Sequence, residues 1–392
     1  MEKYLVISNG TILTPDREIR DGLIIVRDSK IVDIGKRGTM EEPSNAIRID
    51  AGGLLITPGM IDLQVNGAMG ADVTKIRPDT FSVMGNFFAK HGVTSYLATA
   101  ITSQERVFLE VLEHVGGLLR NGQNEGARLL GVHMEGPFLS PAQSGAHPGF
   151  LLSLPRPGNY QPYLEYEDTL KVMTLAPELD GAVQLVRDLK NRGIYASAGH
   201  TDGIYSEMIP AIDAGISLAT HIYCNMSHFR RDKLKRVAGA AETLLYDDRV
   251  AAGLIADGWH LGPALMKLAV RIKGVERVNL VTDAMPATGL PPGKYQIGEV
   301  EAIVADGIAR LPDHSAYAGS VTTMDVCVRN AKNQVDLSLK EALRMATLTP
   351  AEIIGVNDSK GSLEKGKDAD ILIMDEEVNI HKTIIQGKFY RT

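Results

Sequence analysis

The chain has 392 residues, enough at roughly 100–200 residues per domain for about two to four domains, or for one large barrel with a smaller attachment. Lys and Arg total 41 against 48 Asp and Glu, and the formal net charge of −7 argues against nucleic acid or an anionic membrane as the main partner. Cys224 and Cys327 are the only cysteines, too few for a disulfide framework or a multi-cysteine metal site.

The N-terminal stretch MEKYLVISNGTIL has no basic segment followed by a long apolar one, and no run reaches about 18 uninterrupted apolar residues, so a soluble cytoplasmic protein is expected. Short alternating runs follow at Tyr4-Leu5-Val6-Ile7, Gly22 to Val26 and Lys30 to Ile34, punctuated by Gly10, Gly22 and Gly35. They read as short antiparallel strands. The stretches 368–374 and 382–388 have the same character, so the two chain ends are expected to share one small sheet.

Between the ends, eight apolar runs alternate with helical patterns: 54–66, 93–101, 127–138, 171–177, 194–200, 216–223, 250–260 and 278–284. Helices are predicted over 78–91, 104–120, 180–192, 263–273 and 324–334. This alternation points to an α/β protein with a (β/α)8 barrel. A doubly wound open sheet would need a Gly-rich loop opening a helix after the first strand, and Asn66-Gly67-Ala68-Met69-Gly70-Ala71-Asp72 does not open one. Residues 289–315 read as a hairpin inserted after the eighth strand.

In a barrel, functional side chains gather at the C-terminal strand ends. The third strand ends in His133-Met134-Glu135, the fifth in His200, the sixth in His221, the seventh in Asp257-Gly258-Trp259-His260 and the eighth in Asp283. Two imidazoles and a carboxylate with an open fourth position suit a catalytic divalent metal, and Glu135, His200 and His221 supply them. Asp283 beside them can take a proton from water and return it to a leaving amine, as amide hydrolysis requires. His133 lies on the same strand face as Glu135 and is either ligand or support. His91 reads as a helix C-terminal residue, His114, His314 and His381 as surface residues, and His228 stays open.

These residues carry a resemblance to the amidohydrolase superfamily and, within it, to the N-acetylglucosamine-6-phosphate deacetylase family over nearly the whole chain. The stretches are Pro58-Gly59-Met60-Ile61-Asp62, His133-Met134-Glu135-Gly136-Pro137-Phe138, Gly145-Ala146-His147-Pro148, Leu175-Ala176-Pro177-Glu178, Ala198-Gly199-His200, Ala219-Thr220-His221, Ile255 to Gly258, Leu280 to Ala284 and Ala318-Gly319-Ser320. The resemblance implies a small β-sandwich from residues 1–56 and 357–392 on a catalytic barrel of residues 57–356. It implies that Glu135, His200 and His221 bind one metal, Asp283 is general base and then acid, and His147 polarises the acetyl carbonyl. Zinc is the first expectation, with iron, cobalt and nickel accepting the same set. Ala146, Asp257 to His260, Ala318 and Gly319 would line the sugar site. The implied reaction is removal of acetate from N-acetylglucosamine 6-phosphate.

Two stretches depart from the family pattern. Gln64-Val65-Asn66 stands where many members have His-x-His for a second metal, and amides are poor ligands, so a single ion is expected. After His221 the usual phosphate-gripping Asn-Ala or Asn-Gly pair and Arg-Glu-Pro-Gly segment are replaced by Tyr223-Cys224-Asn225-Met226-Ser227-His228-Phe229-Arg230-Arg231-Asp232-Lys233. Cys224, Asn225, Arg230 and Arg231 are the substrate-binding candidates there, with a solvated loop as the other reading. In this family the phosphate contact can come from a neighbouring subunit, and a homodimer is expected. The alternatives are a deacylase of another N-acyl sugar or small cyclic amide, and an inactive binding protein on the same barrel.

Overall fold

The structure, a computed structural model, describes residues 3–122 and 125–390. Eight parallel strands form the barrel: Met60–Val65, Val93–Ile101, Arg128–Glu135, Leu170–Leu175, Tyr195–Ala198, Ile216–Ala219, Ala251–Ile255 and Val278–Val281, each paired with the next in this order. The ring closes through a parallel bridge between Val65 and Ala284 and a bond from the Asp283 N–H to the Gln64 carbonyl at 3.0 Å. Alternate residues from different strands, among them Ile61, Leu63, Leu97, Val172, Leu218 and Val281, share one interior cluster, as period-two side-chain direction dictates. Helices pack outside. In Glu105–Asn121, Phe108, Val111, Leu112 and Val115 are buried, a helical stripe facing the strands.

The apolar run from Leu54 is split by Gly59. Leu55–Pro58 is a strand of the terminal sheet, and the barrel begins one residue later at Met60. A β-carbon at Gly59 would sit 2.2 Å from Thr94 Oγ1, so only glycine permits this crossing between the two sheets.

The terminal sheet is continuous and mixed, in the order Lys388–Tyr390, Ile380–Ile385, Ile371–Met374, Leu55–Pro58, Tyr4–Leu13, Glu18–Arg27, Lys30–Lys36, with Ile47–Asp50 paired to Tyr4–Leu13. Its strands are not all antiparallel, because Tyr4–Leu13 pairs in parallel with both Ile47–Asp50 and Leu55–Pro58. Strands from both chain ends fill one apolar core that includes Ile7, Ile24, Ile56, Ile371 and Ile384.

Two segments differ from their sequence-based reading. The insertion has three strands, Gly293–Ile297, Val300–Ala305 and Ile308–Arg310, rather than a two-stranded hairpin. Asp306-Gly307, both at positive φ, make the second tight turn, a hairpin signal with its usual chemistry. The basic stretch after His228 is an exposed two-stranded ribbon, Arg230–Asp232 against Lys235–Val237, rather than a loop.

Within the terminal domain, Lys360 Nζ, 8% exposed, donates to Asp370 Oδ2 at 2.7 Å and Asp368 Oδ2 at 2.9 Å, while Lys30 pairs with Asp368 at 2.6 Å. Burial opposes the charge on Asp368, but Lys360 and Lys30 outweigh it and hold this carboxyl below its usual value. Burial likewise opposes the charge on Lys360, and Asp370 and Asp368 outweigh it and raise the ammonium. Asp368, depressed on folding, contributes stability above about pH 4, lost as pH falls through its folded value. Lys360, raised on folding, contributes below about pH 10, lost as pH rises through its folded value. Lys360→Met, which leaves two carboxylates without their shared cation, is expected to cost about 3–5 kcal/mol in denaturant unfolding between those limits. The gap from wild type should narrow below about pH 4, where the carboxylates protonate; a gap independent of pH would contradict this account.

Candidate active site

Glu135 closes the third barrel strand, and His200 and His221 follow the fifth and sixth. Glu135 Oε1 lies 3.1 Å from His200 Nε2 and 2.9 Å from His221 Nε2, and the two Nε2 atoms are 3.1 Å apart. All three residues are buried. His200 Nδ1–H donates to the Gln143 carbonyl at 2.9 Å, which leaves Nε2 as a lone pair aimed at the other two atoms. His221 Nδ1 is buried without a hydrogen-bond partner among the described residues, so Nε2 is the only polar anchor of that ring. Two ring nitrogens and a carboxylate oxygen this close need a shared positive partner. Their number and chemistry suit a divalent cation with one side open to the cavity. Burial pushes the Glu135 carboxyl up, yet the neighbouring His147, His200 and His221 imidazoles outweigh it and hold the group well below the usual carboxylate range.

Asp283 follows the eighth strand. Its Oδ1 accepts from Asn66 Nδ2 at 2.7 Å and Gln64 Nε2 at 3.3 Å. Burial and then the Glu135 charge push this carboxyl up to about 8, against the opposing pull of His221 and the Asn66 bond. A proton affinity near neutrality suits a group that must both take and give a proton. The φ values of His200, His221 and Asp283 are 49°, 30° and 51°. Left-handed backbone at three non-glycine strand ends costs energy at each and turns the side chains inward over the barrel mouth.

His147 stands beside this group, with Nδ1 2.7 Å from Thr102 Oγ1 and 3.4 Å from the Thr102 N–H, and Nε2 3.9 Å from Glu135 Oε1. With Nδ1 accepting from Thr102, the ring proton sits on Nε2 and faces the cavity. That cavity, about 530 Å³, is lined by the ligand triad, Asp283 and His147, and also by Ala146, Cys224, Asn225, His260 and Gly319. A β-carbon at Gly319, which has positive φ, would lie 2.8 Å from the Asp283 carbonyl.

Other expected contacts fall elsewhere. Asp257 is not on the cavity wall; its carboxylate accepts from His260 Nδ1 at 2.7 Å and from the Trp259 and His260 N–H groups, and so aims His260. Ala318 is buried in the core of the insertion. Arg230 Nη1 binds Asp202 Oδ2 at 2.8 Å and Arg231 Nε binds the Lys233 carbonyl at 2.8 Å, both on the exposed ribbon and neither on the cavity wall. His133 lies deeper, with Nδ1 donating to the Leu63 carbonyl and Nε2 accepting from Thr174 Oγ1, and burial lowers it to about 4. It is a neutral support outside the ligand group. His228 faces Glu242 and the Tyr223 ring outside the cavity.

Sequence reasoning missed several wall residues: Asn66, Tyr223, Arg310, His314 and Tyr317. His314 is exposed as read, but it stands at the cavity mouth. The one signal for Arg310 and Tyr317 was their position just before Ala318-Gly319-Ser320.

The pattern of the amidohydrolase family matches residues 55–390. The chain belongs to the amidohydrolase family. It is similar to the N-acetylglucosamine-6-phosphate deacetylase of Mus musculus, 34% identical over 98% of this chain and 93% of that one. It is equally similar to the enzyme of that name from Bacillus subtilis, at 34% over 99% and 97%. Among solved structures, the N-acetylglucosamine-6-phosphate deacetylase of Pasteurella multocida superposes with a TM-score of 0.93 at 30% identity, over 99% of this chain and 100% of that one. A Mycobacterium smegmatis deacetylase mutant in complex with N-acetyl-D-glucosamine-6-phosphate superposes with a TM-score of 0.90 at 30% identity, covering both chains in full.

Members of this superfamily are metal-dependent, and the buried triad offers this amidohydrolase one site. Elemental analysis of the purified protein is expected to give one divalent ion per chain, because Gln64 and Asn66 present amide N–H groups to Asp283 instead of ligands. Glu135→Ala and His221→Ala should each lower that stoichiometry severalfold. Two ions per wild-type chain would contradict the single-site reading.

Proposed function

We propose that this amidohydrolase hydrolyses N-acetylglucosamine 6-phosphate to glucosamine 6-phosphate and acetate. The observation that carries the reading is one cavity holding a buried Glu-His-His ligand group, the Asp283 carboxyl steadied by two amides and the His147 imidazole, in a chain about a third identical to deacetylases across its length. Full-length similarity to one activity favours this over another N-acyl substrate or an inactive binding protein.

Glu135, His200 and His221 would hold the metal, zinc being the first choice for this nitrogen and oxygen set and iron, cobalt and nickel acceptable. When bound, a divalent cation supplies Lewis acidity and makes water a nucleophile near neutral pH. Asp283, steadied by Asn66 and Gln64, accepts the proton of the attacking water and returns it to the amide nitrogen as the C–N bond breaks. His147 donates from Nε2 to the acetyl oxygen and strengthens that bond as negative charge builds there. His260, held by Asp257, and Ala146, Cys224, Asn225 and Gly319 form the sugar-facing wall.

A homodimer is the expected assembly. It is supported by an apolar groove that shares Tyr223 with the cavity, where Phe229, Tyr246, Leu265, Leu268 and Ile272 are all exposed. A cytoplasmic location fits a sugar phosphate substrate, and among the described residues no helix is long and apolar enough to cross a membrane.

In steady-state assays Asp283→Asn is expected to lower kcat by about 10²- to 10⁴-fold, the usual worth of a positioned acid-base group. His147→Asn should lower it by about 10²- to 10³-fold, as for loss of one oxyanion donor. Metal content should stay near wild type in both, and full activity in Asp283→Asn would refute the mechanism. Sedimentation should give a dimer that Leu268→Asp weakens.

A further inference from the structure

We infer that His133, Thr174, Ser197 and Thr220 form a one-way hydrogen-bond chain that sets the positions of the three metal ligands; the inference rests on the metal-site reading above and not on the identity of the substrate. His133 Nδ1 lies 3.1 Å from the Leu63 carbonyl, and its Nε2 lies 2.7 Å from Thr174 Oγ1. Thr174 Oγ1 is 2.6 Å from Thr220 Oγ1, which is 2.6 Å from Ser197 Oγ. The four side chains are at most 2% exposed, and none of them lines the cavity. Their protons can be arranged in one way. A carbonyl only accepts, so His133 Nδ1 carries the ring proton and Nε2 accepts from Thr174. A hydroxyl has a single proton to give. Thr174, having given its own to His133, accepts from Thr220, and Thr220 accepts from Ser197.

The place of the chain gives it its role. Glu135 follows His133 by two residues on the same face of the third strand, His200 follows Ser197 after the fifth, and His221 comes directly after Thr220. Thr174 stands on the fourth strand, which supplies no ligand, and its hydroxyl ties the third strand to the sixth. The turn into His200 presses on the same two threonines. A β-carbon at Gly199 would sit 2.8 Å from Thr174 Cγ2 and 2.9 Å from Thr220 Cβ. Glu135, His200 and His221 meet only if their strands keep one relative height. The chain fixes that height, because sliding any of these strands would leave a buried donor or acceptor unpaired.

The test titrates metal-stripped protein with zinc ions against a competing chelator, follows thermal unfolding of the same samples, and reads the His133 tautomer by nitrogen-15 spectroscopy. The variants are Thr174→Val, Thr174→Ser, Thr220→Val and, as a control, Thr383→Val. The buried Thr383 hydroxyl donates to the Ala89 carbonyl at 2.7 Å from a strand of the terminal sheet, outside the barrel. Thr174→Val and Thr220→Val should each raise the zinc Kd on the order of 10- to 100-fold, the usual effect of losing a group that orients a metal ligand. Thr174→Ser, which keeps the oxygen and its proton, should recover most of that loss. Thr383→Val should lose thermal stability as the barrel variants do, yet keep the wild-type zinc Kd. Wild-type His133 should carry its proton on Nδ1, a result that stands even if Thr174→Val does not fold. An unchanged zinc Kd in Thr174→Val and Thr220→Val, an equal rise in Thr383→Val, or wild-type His133 protonated on Nε2 would overturn the inference. Wild type that binds no zinc would overturn it together with the metal site. Wild type that binds zinc but leaves N-acetylglucosamine 6-phosphate intact would overturn the deacetylase reading alone.

Discussion

The meeting of Glu135 Oε1, His200 Nε2 and His221 Nε2 within about 3 Å of one another is the constraint on which the rest of the site depends. The three groups come from three strands and are all buried. Without a shared cation, one carboxylate and two desolvated imidazoles would be a costly place to end three strands. The barrel accommodates this by spending backbone strain, since the chain turns left-handed at His200, His221 and Asp283. It also holds the rings from outside, as the Gln143 carbonyl does for His200 and Thr102 for His147.

Barrel closure and chemistry are one event here. The seam between the first and eighth strands is a single bridge from Val65 to Ala284 with a few bonds around it, and Asp283 lies in that seam. Gln64 and Asn66, next to the bridge, reach the Asp283 carboxylate with their amide nitrogens. The Gln64 and Asn66 amides therefore orient the Asp283 carboxylate at the barrel mouth. Asp62 extends the same support, accepting from Thr282 Oγ1 at 2.5 Å on the neighbouring strand.

The insertion and the terminal sheet serve different ends. The insertion contributes Arg310, His314 and Tyr317 to the cavity wall, so it shapes what enters. Among the described residues, the terminal sheet contributes none to the cavity wall. It gathers both chain ends around one apolar core and the buried Lys360 ion pairs.

Much of this was legible along the chain. The eight apolar runs, the helices between them, the shared terminal sheet and the polar residues closing each strand all followed from periodicity, because burial imposes period two or 3.6 on one face of each element. Glu135, His200, His221 and Asp283 were legible for the same reason: in a barrel, the strand end is the active side. What stayed hidden depends on contacts between distant segments. Nothing local marks Asn66 as the partner of Asp283, Asp257 as the support of His260 rather than a wall residue, or Thr102 as the partner of His147. The two basic stretches show the limit most clearly. Arg230 and Arg231 look available in the sequence and are hydrogen-bonded in the structure, whereas Arg310 looks like one strand residue among many, lines the cavity, and has an Nε with no hydrogen-bond partner among the described residues. Sequence alone determined the architecture and which polar groups close the barrel strands, because both are written in local pattern. Tertiary structure alone decided which charged groups are paired and with what, because those partners are brought by folding from elsewhere in the chain.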